Sequence, residues 1–175
     1  AAGKMVGIVS DKDLLHAAPS PATSLSVHEL HYLLAKLTIN KVMSSPVISV
    51  GPDTPLEEAA RVMADNKIGG LPVLEGDQLV GIITETDVFK VLTEVLGART
   101  AGLRITLGVK DAKGVLAGIT DVLAKHGANI LALVAYSGKQ PGERFIMVKL
   151  SDMDADVVKD ALAGLDVQVV DFRGQ

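Results

Sequence analysis

The sequence predicts an α+β fold made of small consecutive modules. Two observations support this prediction. Residues 4–15 return in closely similar form as residues 78–89, so one structural unit occurs twice. Short apolar runs also alternate with helical patterns along all 175 residues. Because 48% of the residues are hydrophobic and only 3% are aromatic, we expect an aliphatic core of closely packed layers.

Composition and charge narrow the possible functions. The net charge is −4 and the 17 lysines and arginines are dispersed, so no basic surface for nucleic acid is predicted. The chain has no cysteine, which excludes disulfides and favours a reducing cytoplasm. Its longest apolar run, residues 130–136, is far shorter than the roughly 20 residues of a membrane-spanning helix. We therefore expect a cytoplasmic protein that binds neither nucleic acid nor membrane.

The first copy of the repeat occupies residues 1–17 and opens with an apolar strand. In the second copy this strand is the last of its module, so we expect the first copy to have further residues upstream of Ala1. A surface linker is predicted at residues 16–24, because Pro19 and Pro21 disfavour helix before them. A helix then begins near Ser26, and residues 18–42 as a whole connect the two copies.

The second copy, residues 43–98, is predicted to have the order β-α-β-β-α. Its first strand is residues 46–50. A capping box follows, with Thr54 as N-cap and Glu57 reaching back, and the helix stops at Asn66. Two strands, residues 71–74 and 79–84, surround a turn, and a second helix over residues 87–96 ends at Gly97.

The third unit, residues 101–175, shows a different order, β-α-β-β-α-β. This is the ferredoxin-like layout. The predicted strands are residues 105–109, 130–136, 144–150 and 167–172, and the predicted helices are residues 114–126 and 155–162.

Each copy of the repeat ends a strand with a hydroxyl residue that is followed three positions later by an aspartate. These pairs are Ser10 with Asp13 and Thr84 with Asp87. A strand that opens directly into a helix presents free N–H groups that suit a phosphate, and a carboxylate can accept both hydroxyls of a ribose. The same pattern is also an ordinary helix cap. A lone copy would favour the cap, whereas repetition in the same apolar context favours a ligand site.

This pattern resembles the end of a CBS domain, in which the hydroxyl and the aspartate hold an adenine nucleotide. The resemblance implies an adenine slot lined by Val47, Ile48, Ile68, Gly70, Leu71 and Pro72. Core packing and a plain turn are the alternative interpretation of these residues. In the first copy Lys12 adds a cation beside Ser10 and Asp13, where the second copy has Thr86, so the two sites are expected to differ.

The third unit resembles an ACT domain, a module that commonly binds amino acids and dimerises through its sheet. The resemblance lies in residues 109–116 and 123–130. It implies a second effector site at Asp111, Gly114, Asn129 and Ile130. The alternative is that Gly114 only serves a tight junction between strand and helix. Lys113 stands where amino-acid-binding members usually have proline.

CBS repeats followed by one ACT domain resemble the acetoin-utilisation regulatory proteins. The resemblance implies a non-catalytic sensor of AMP, ADP, ATP or S-adenosylmethionine that requires no cofactor, and a homodimer or higher oligomer. It also suggests an amino acid or similar second effector and a role in acetoin or carbon metabolism. A ligand-free dimerisation module and the regulatory fragment of a larger enzyme are the alternatives. His28 and His31 lie one helical turn apart without further ligands nearby, so no metal site is predicted.

Overall fold

The computed structural model describes residues 3–18, 26–151 and 153–174, which form two compact units, Ala1–Val88 and Phe89–Gln175. The first unit begins with three helices, α1 (Asp11–Ala17), α2 (Val27–Ala35) and α3 (Ile39–Val42). As predicted from the sequence, α2 begins after Ser26, whose hydroxyl accepts a hydrogen bond from the backbone N–H of Glu29.

Two predictions for the start of the chain are wrong. Before α1 there is no strand among the described residues; only Ile8 pairs with Ser44, by two backbone hydrogen bonds of 3.1 and 2.8 Å. A strand needs a neighbour along several residues, and here pairing ends after one. His16 and Ala17 also belong to α1 instead of the linker, whereas predicted linker residues 19–24 lie outside the described residues.

The rest of the first unit contains α4 (Leu56–Asn66), the antiparallel strands β1 (Gly70–Glu75) and β2 (Gln78–Thr84), and the start of α5 (Glu85–Val95), which continues into the second unit. The strand predicted at residues 46–50 is reduced to one parallel bridge between Val50 and Val73. Thr54 is not the N-cap of α4. Its hydroxyl instead accepts the N–H of Gly51 at 3.0 Å, and Pro55 precedes the helix without a side-chain cap.

A small apolar core joins α4 to the hairpin. Ala59 and Met63 of α4 and Leu71 of β1 are buried, and the half-buried side chains around them are Val50, Val62, Ile68, Ile83 and Val88. Helix α4 ends at Lys67, which has a left-handed conformation with φ 56°. This core therefore fixes β1 against α4 and places the end of β2 beside the start of α5.

The second unit forms the predicted ferredoxin-like fold. Its strands are β3 (Leu103–Lys110), β4 (Asn129–Ser137), β5 (Glu143–Ser151) and β6 (Gln168–Gly174), and its helices are α6 (Val115–Lys125) and α7 (Ala155–Leu162). The strand order is β4-β5-β3-β6, with every neighbouring pair antiparallel. The predicted elements are confirmed to within about two residues at each end.

Both helices pack on one face of this sheet. Ile119 and Leu123 of α6 and Val158 and Leu162 of α7 share one core cluster with strand residues. The strand residues of this cluster are Leu103, Ile105, Leu107, Val109, Ile146, Val148 and Leu150. Because side chains alternate along a strand, Thr106 and Lys149 lie on the opposite face, where they are nevertheless 5% and 2% exposed.

Candidate functional site

Thr84 and Asp87 form a closed hydrogen-bonded pair where β2 runs directly into α5. One carboxylate oxygen of Asp87, Oδ2, accepts the Thr84 hydroxyl at 2.6 Å and the Thr84 backbone N–H at 3.1 Å. The N–H of Asp87 donates to the Thr84 hydroxyl at 3.4 Å. The pair is a capping box, so the cap interpretation of this motif is present in the structure.

Ser10 and Asp13 repeat this geometry at the start of α1. Asp13 Oδ2 accepts the Ser10 hydroxyl at 2.7 Å and the Ser10 backbone N–H at 2.8 Å, and the Asp13 N–H donates back at 3.2 Å. The hydrogen bond from the Ser10 backbone and then that from its hydroxyl lower the pKa of Asp13. Lys12 is exposed, and its N–H donates to the Asp11 carboxylate at 2.8 Å. The sequence repeat is therefore also a repeat of local structure.

Gly70 faces the Thr84 pair across the hairpin. Gly70 is the register partner of Thr84. A side chain at Gly70 would place its Cβ 3.3 Å from the Ile83 carbonyl oxygen and 3.6 Å from Thr84 Cγ2. On the neighbouring residue, the Gly69 carbonyl accepts the N–H of Glu85 at 3.0 Å. The structure therefore brings Gly70, Thr84 and Asp87 together, with bare backbone on one side.

The other predicted slot residues divide between core and surface. Leu71 is fully buried in the small core, where it clusters with Ala59 and Met63. Pro72 is buried, and its carbonyl accepts the Val50 N–H at 3.0 Å. Ile68 packs against the core cluster. Val47 is half-buried and Ile48 is 42% exposed, in the segment that leads to Val50.

Glu85 is a residue of this region that the sequence analysis missed. Its carboxylate Oε2 lies 3.5 Å from the position that a Cβ on Gly69 would occupy. The repeat held a signal for it, because Asp11 occupies the matching position in the first copy. With Glu85 and Asp87, the first turn of α5 carries two carboxylates.

The two carboxylates in the first turn of α5 determine which chemical groups of a ligand this position can bind. The Asp87 carboxylate already accepts the Thr84 N–H at the helix start, and like charges repel a phosphate. Hydroxyl groups, which can donate to carboxylates, suit this position better. The prediction that the start of α5 holds a phosphate is therefore disfavoured, whereas a role in holding a ribose is compatible with the charges.

The residues proposed for a second effector site do not come together within one chain. Asp111 directly follows β3 and lies beside the start of β5, where its carboxylate is 3.5 Å from Arg144, and Gly114 precedes α6 with φ 85°. Asn129 donates to the Ser151 hydroxyl at 3.2 Å, at the other end of β5, and Ile130 follows it. Arg144 and Ser151 are seven positions apart, which is about 24 Å along a strand. Any joint site would require a second chain.

Two surface cavities lie away from the Thr84 pair. One, of about 310 Å³, is lined by Lys110, Glu143, Phe145 and Asp166 among others. The other, of about 450 Å³, lies beside Lys4 and Asp77, which form an ion pair at 3.3 Å. Within the described ranges there is no group of three potential metal ligands. No helix in that part of the chain has the length and apolar character needed to cross a bilayer.

Comparison with protein families identifies two domains. Residues 39–94 match the model of the CBS domain, and residues 103–167 match the model of the ACT domain. The first match includes the Thr84 pair and the whole hairpin. The second match covers the ferredoxin-like unit up to the start of β6.

Two curated relatives align with most of the chain. An uncharacterized 33.4 kDa protein in the ribosomal RNA operon of Thermofilum pendens is 30% identical over 165 residues, which is 84% of this chain and 51% of that protein. An inosine-5'-monophosphate dehydrogenase of Korarchaeum cryptofilum is 26% identical over 94% of this chain and 33% of the enzyme. The chain thus spans about half of the Thermofilum protein and about a third of the Korarchaeum enzyme.

Solved structures show a weaker likeness. The structure of CBSX2 in complex with AMP is 30% identical, has a TM-score of 0.41, and covers 53% of this chain and 66% of that chain.

Proposed function

The chain carries a CBS domain followed by an ACT domain, and we propose that it is a non-catalytic cytoplasmic sensor that binds an adenine nucleotide or adenosyl compound. The observation that supports this proposal is the Thr84–Asp87 pair beside Gly70. There a carboxylate suited to ribose hydroxyls lies beside a glycine, whose missing side chain lets a ligand approach the backbone closely. Val47, Ile48, Ile68 and Pro72 are the residues proposed to frame the base.

In the same proposal, residues 1–17 are the end of a first CBS repeat. The hydrogen bonds that Ser10 and Asp13 share with Thr84 and Asp87 support this assignment. The residues proposed to frame the base belong to the second copy, and a pocket must bury most of its ligand. We therefore expect a nucleotide to bind at Asp87.

The test is calorimetric titration of AMP, ADP, ATP and S-adenosylmethionine into the parent chain and two matched variants. Asp87→Asn keeps the side-chain shape and removes the charge, so it should weaken binding at least tenfold, about 1.4 kcal/mol, the scale of a charge-assisted hydrogen bond. Asp13→Asn makes the same change in the same local geometry and should leave the affinity unaltered. Equal affinity of Asp87→Asn and the parent would mean that Asp87 is only a helix cap.

The ACT domain is proposed to supply dimerisation or a site for an amino acid or similar effector. The separation of Asp111 from Asn129 within one chain supports a site completed by a partner copy. The order of CBS and ACT domains further supports a role in acetoin or carbon metabolism, as in the acetoin-utilisation regulatory proteins. Loss of the gene should then impair growth on acetoin and leave growth on glucose normal.

One observation favours a second candidate, the regulatory part of a larger enzyme. Nearly the whole chain aligns with a third of the Korarchaeum dehydrogenase. Assay of the protein encoded by the complete gene for dehydrogenation of inosine-5'-monophosphate separates the two candidates.

A further inference from the structure

Lys149 is a charged residue buried in the ACT sheet. It is 2% exposed and lies between Val148 and Leu150, which point into the core on the other face of β5. Removing an ammonium group from water is costly unless hydrogen-bond partners replace the water. A lysine at this position therefore indicates a specific contact that the fold keeps.

One such contact is with Gly97, which lies two residues after the last residue of α5. Lys149 Nζ donates to the Gly97 carbonyl oxygen at 2.8 Å. Gly97 has φ 60°, and a Cβ there would lie 3.4 Å from Lys149 Cδ and 3.6 Å from Ala132 Cβ. The glycine thus lets the helix end approach the lysine stem. The Gly97 carbonyl also accepts the N–H of Thr100 at 3.1 Å, and the ammonium group adds a charged donor to it beside the negative end of the helix dipole.

The opposite end of α5 is the proposed nucleotide site. The helix starts at Glu85, directly after Thr84, and the boundary between the two compact units falls within it, after Val88. An isolated helix of 11 residues is marginally stable in water, because nucleation is unfavourable. Contacts at either end therefore stabilise the same ordered helix.

We propose that α5 couples the nucleotide site to the ACT sheet, with Lys149 as the positioning residue at the far end. This inference rests on the proposed function. A nucleotide bound at Thr84 and Asp87 favours the ordered helix and so strengthens the hydrogen bond between Lys149 and Gly97. By linkage, that hydrogen bond favours nucleotide binding to the same extent.

Hydrogen exchange on the parent chain tests the first half of this coupling. The N–H groups of Leu96, Gly97 and Ala98 donate to carbonyls in the last turns of α5, at 2.9 to 3.0 Å, so their exchange reports opening of that helix end. Saturation with AMP, and separately with S-adenosylmethionine, should slow exchange at these three amides for the compound that binds. Unchanged exchange while the compound binds would overturn the coupling.

Binding to Lys149→Met tests the second half. Methionine retains length and apolar volume and removes the donor, so the affinity for the same compound should fall about fivefold, the lower range of measured couplings between sites. Lys125→Met is the control, because Lys125 is an exposed lysine of α6 that pairs with Asp121. It should bind like the parent.

The outcomes separate the two proposals. A parent chain that binds none of the four adenine compounds overturns the proposed function and the coupling with it. Normal binding by a folded Lys149→Met overturns the coupling alone. If Lys149→Met does not fold, hydrogen exchange on the parent chain alone tests the coupling.

Discussion

At Ser10 and at Thr84, one carboxylate oxygen three positions later accepts both the hydroxyl and the backbone N–H of the same residue. Two donors on one oxygen stabilise the ionised carboxylate and fix the first turn of the helix. In the proposed site, the cap at Thr84 therefore positions Asp87 before a ligand arrives. A cap and a ligand donor are compatible roles for one residue.

The pH dependence of Asp13 follows from this geometry. Its pKa is lower in the folded chain than the ordinary 3.8, so its ionised form stabilises the fold above that pH. The stabilisation is lost as the pH falls from 3.8 through the folded pKa. Ser10→Ala removes one donor and keeps the backbone N–H, so the pKa should rise part of the way, as measured by carbon NMR titration of the carboxyl group.

Ser26→Ala is the matched control for this experiment. The Ser26 hydroxyl and then its backbone N–H lower the pKa of Glu29 at the start of α2. The variant should raise the pKa of Glu29 and leave that of Asp13 unchanged. An Asp13 pKa that does not respond to Ser10→Ala would contradict the assigned cause.

At the scale of elements, helix ends are fixed by different means. Lys67 ends α4 in the left-handed region, with φ 56° and ψ 41°. Lys36 ends α2 in the right-handed region, with φ −92° and ψ −6°. The left-handed conformation costs a residue with a Cβ about 1–2 kcal/mol, whereas glycine adopts it freely. The two lysines therefore predict opposite responses to glycine.

Lys67→Gly should raise the free energy of unfolding by about 0.5–1 kcal/mol, because relief of the left-handed strain exceeds the added entropy of glycine in the unfolded chain. Lys36→Gly should lower it by a similar amount. Urea unfolding followed by circular dichroism measures both. A destabilised Lys67→Gly chain would show that the lysine side chain has a stabilising contact that outweighs the strain.

At the scale of the whole molecule, β4 and β6 are the open edges of the ACT sheet. Edge strands have unpaired backbone groups that invite another chain, and Tyr136 on β4 and Val170 on β6 are 46% and 51% exposed. The proposed homodimer would cover one of these edges. The separation of Asp111 from Asn129 within one chain also supports the proposed homodimer.

Light scattering at high protein concentration should give at least twice the monomer mass of 18.2 kDa. Because the apolar strand at residues 130–136 is the expected contact, Tyr136→Asp should return the protein to monomer and Val170→Asp should not. If Val170→Asp is monomeric and Tyr136→Asp is not, the interface lies on β6 instead of β4. A parent mass near 18.2 kDa would contradict the dimer.

The fold could be predicted from apolar periodicity wherever a predicted strand has a hydrogen-bonded neighbour along most of its length. All elements of the ACT unit were found, since each strand has a neighbour over most of its length. The strand predicted at residues 46–50 does not form, because this apolar segment has no paired strand residue apart from the bridge at Val50. Thr54 was misplaced because its hydroxyl accepts the Gly51 N–H, a competition that a capping pattern does not reveal.

The candidate site was predictable in part. The sequence repeat identified Thr84 and Asp87. It could also have identified Glu85, because Asp11 occupies the matching position in the first copy. The burial of Leu71 depends on how α4 meets β1, which no local pattern specifies. The separation of Asp111 from Asn129 was implied by the β-α-β order, since a helix returns the chain to the opposite end of the sheet.

The strand order β4-β5-β3-β6 has a consequence for synthesis of the protein on the ribosome. The central strand β3 is translated first, yet both of its neighbours come later in the chain. At about 5–20 residues per second, the residues between Lys110 and Gly174 take roughly 3–13 seconds to make. During that time the apolar side chains of β3 have no completed sheet to enter, so the nascent ACT unit is exposed to chaperones and to aggregation until β6 emerges.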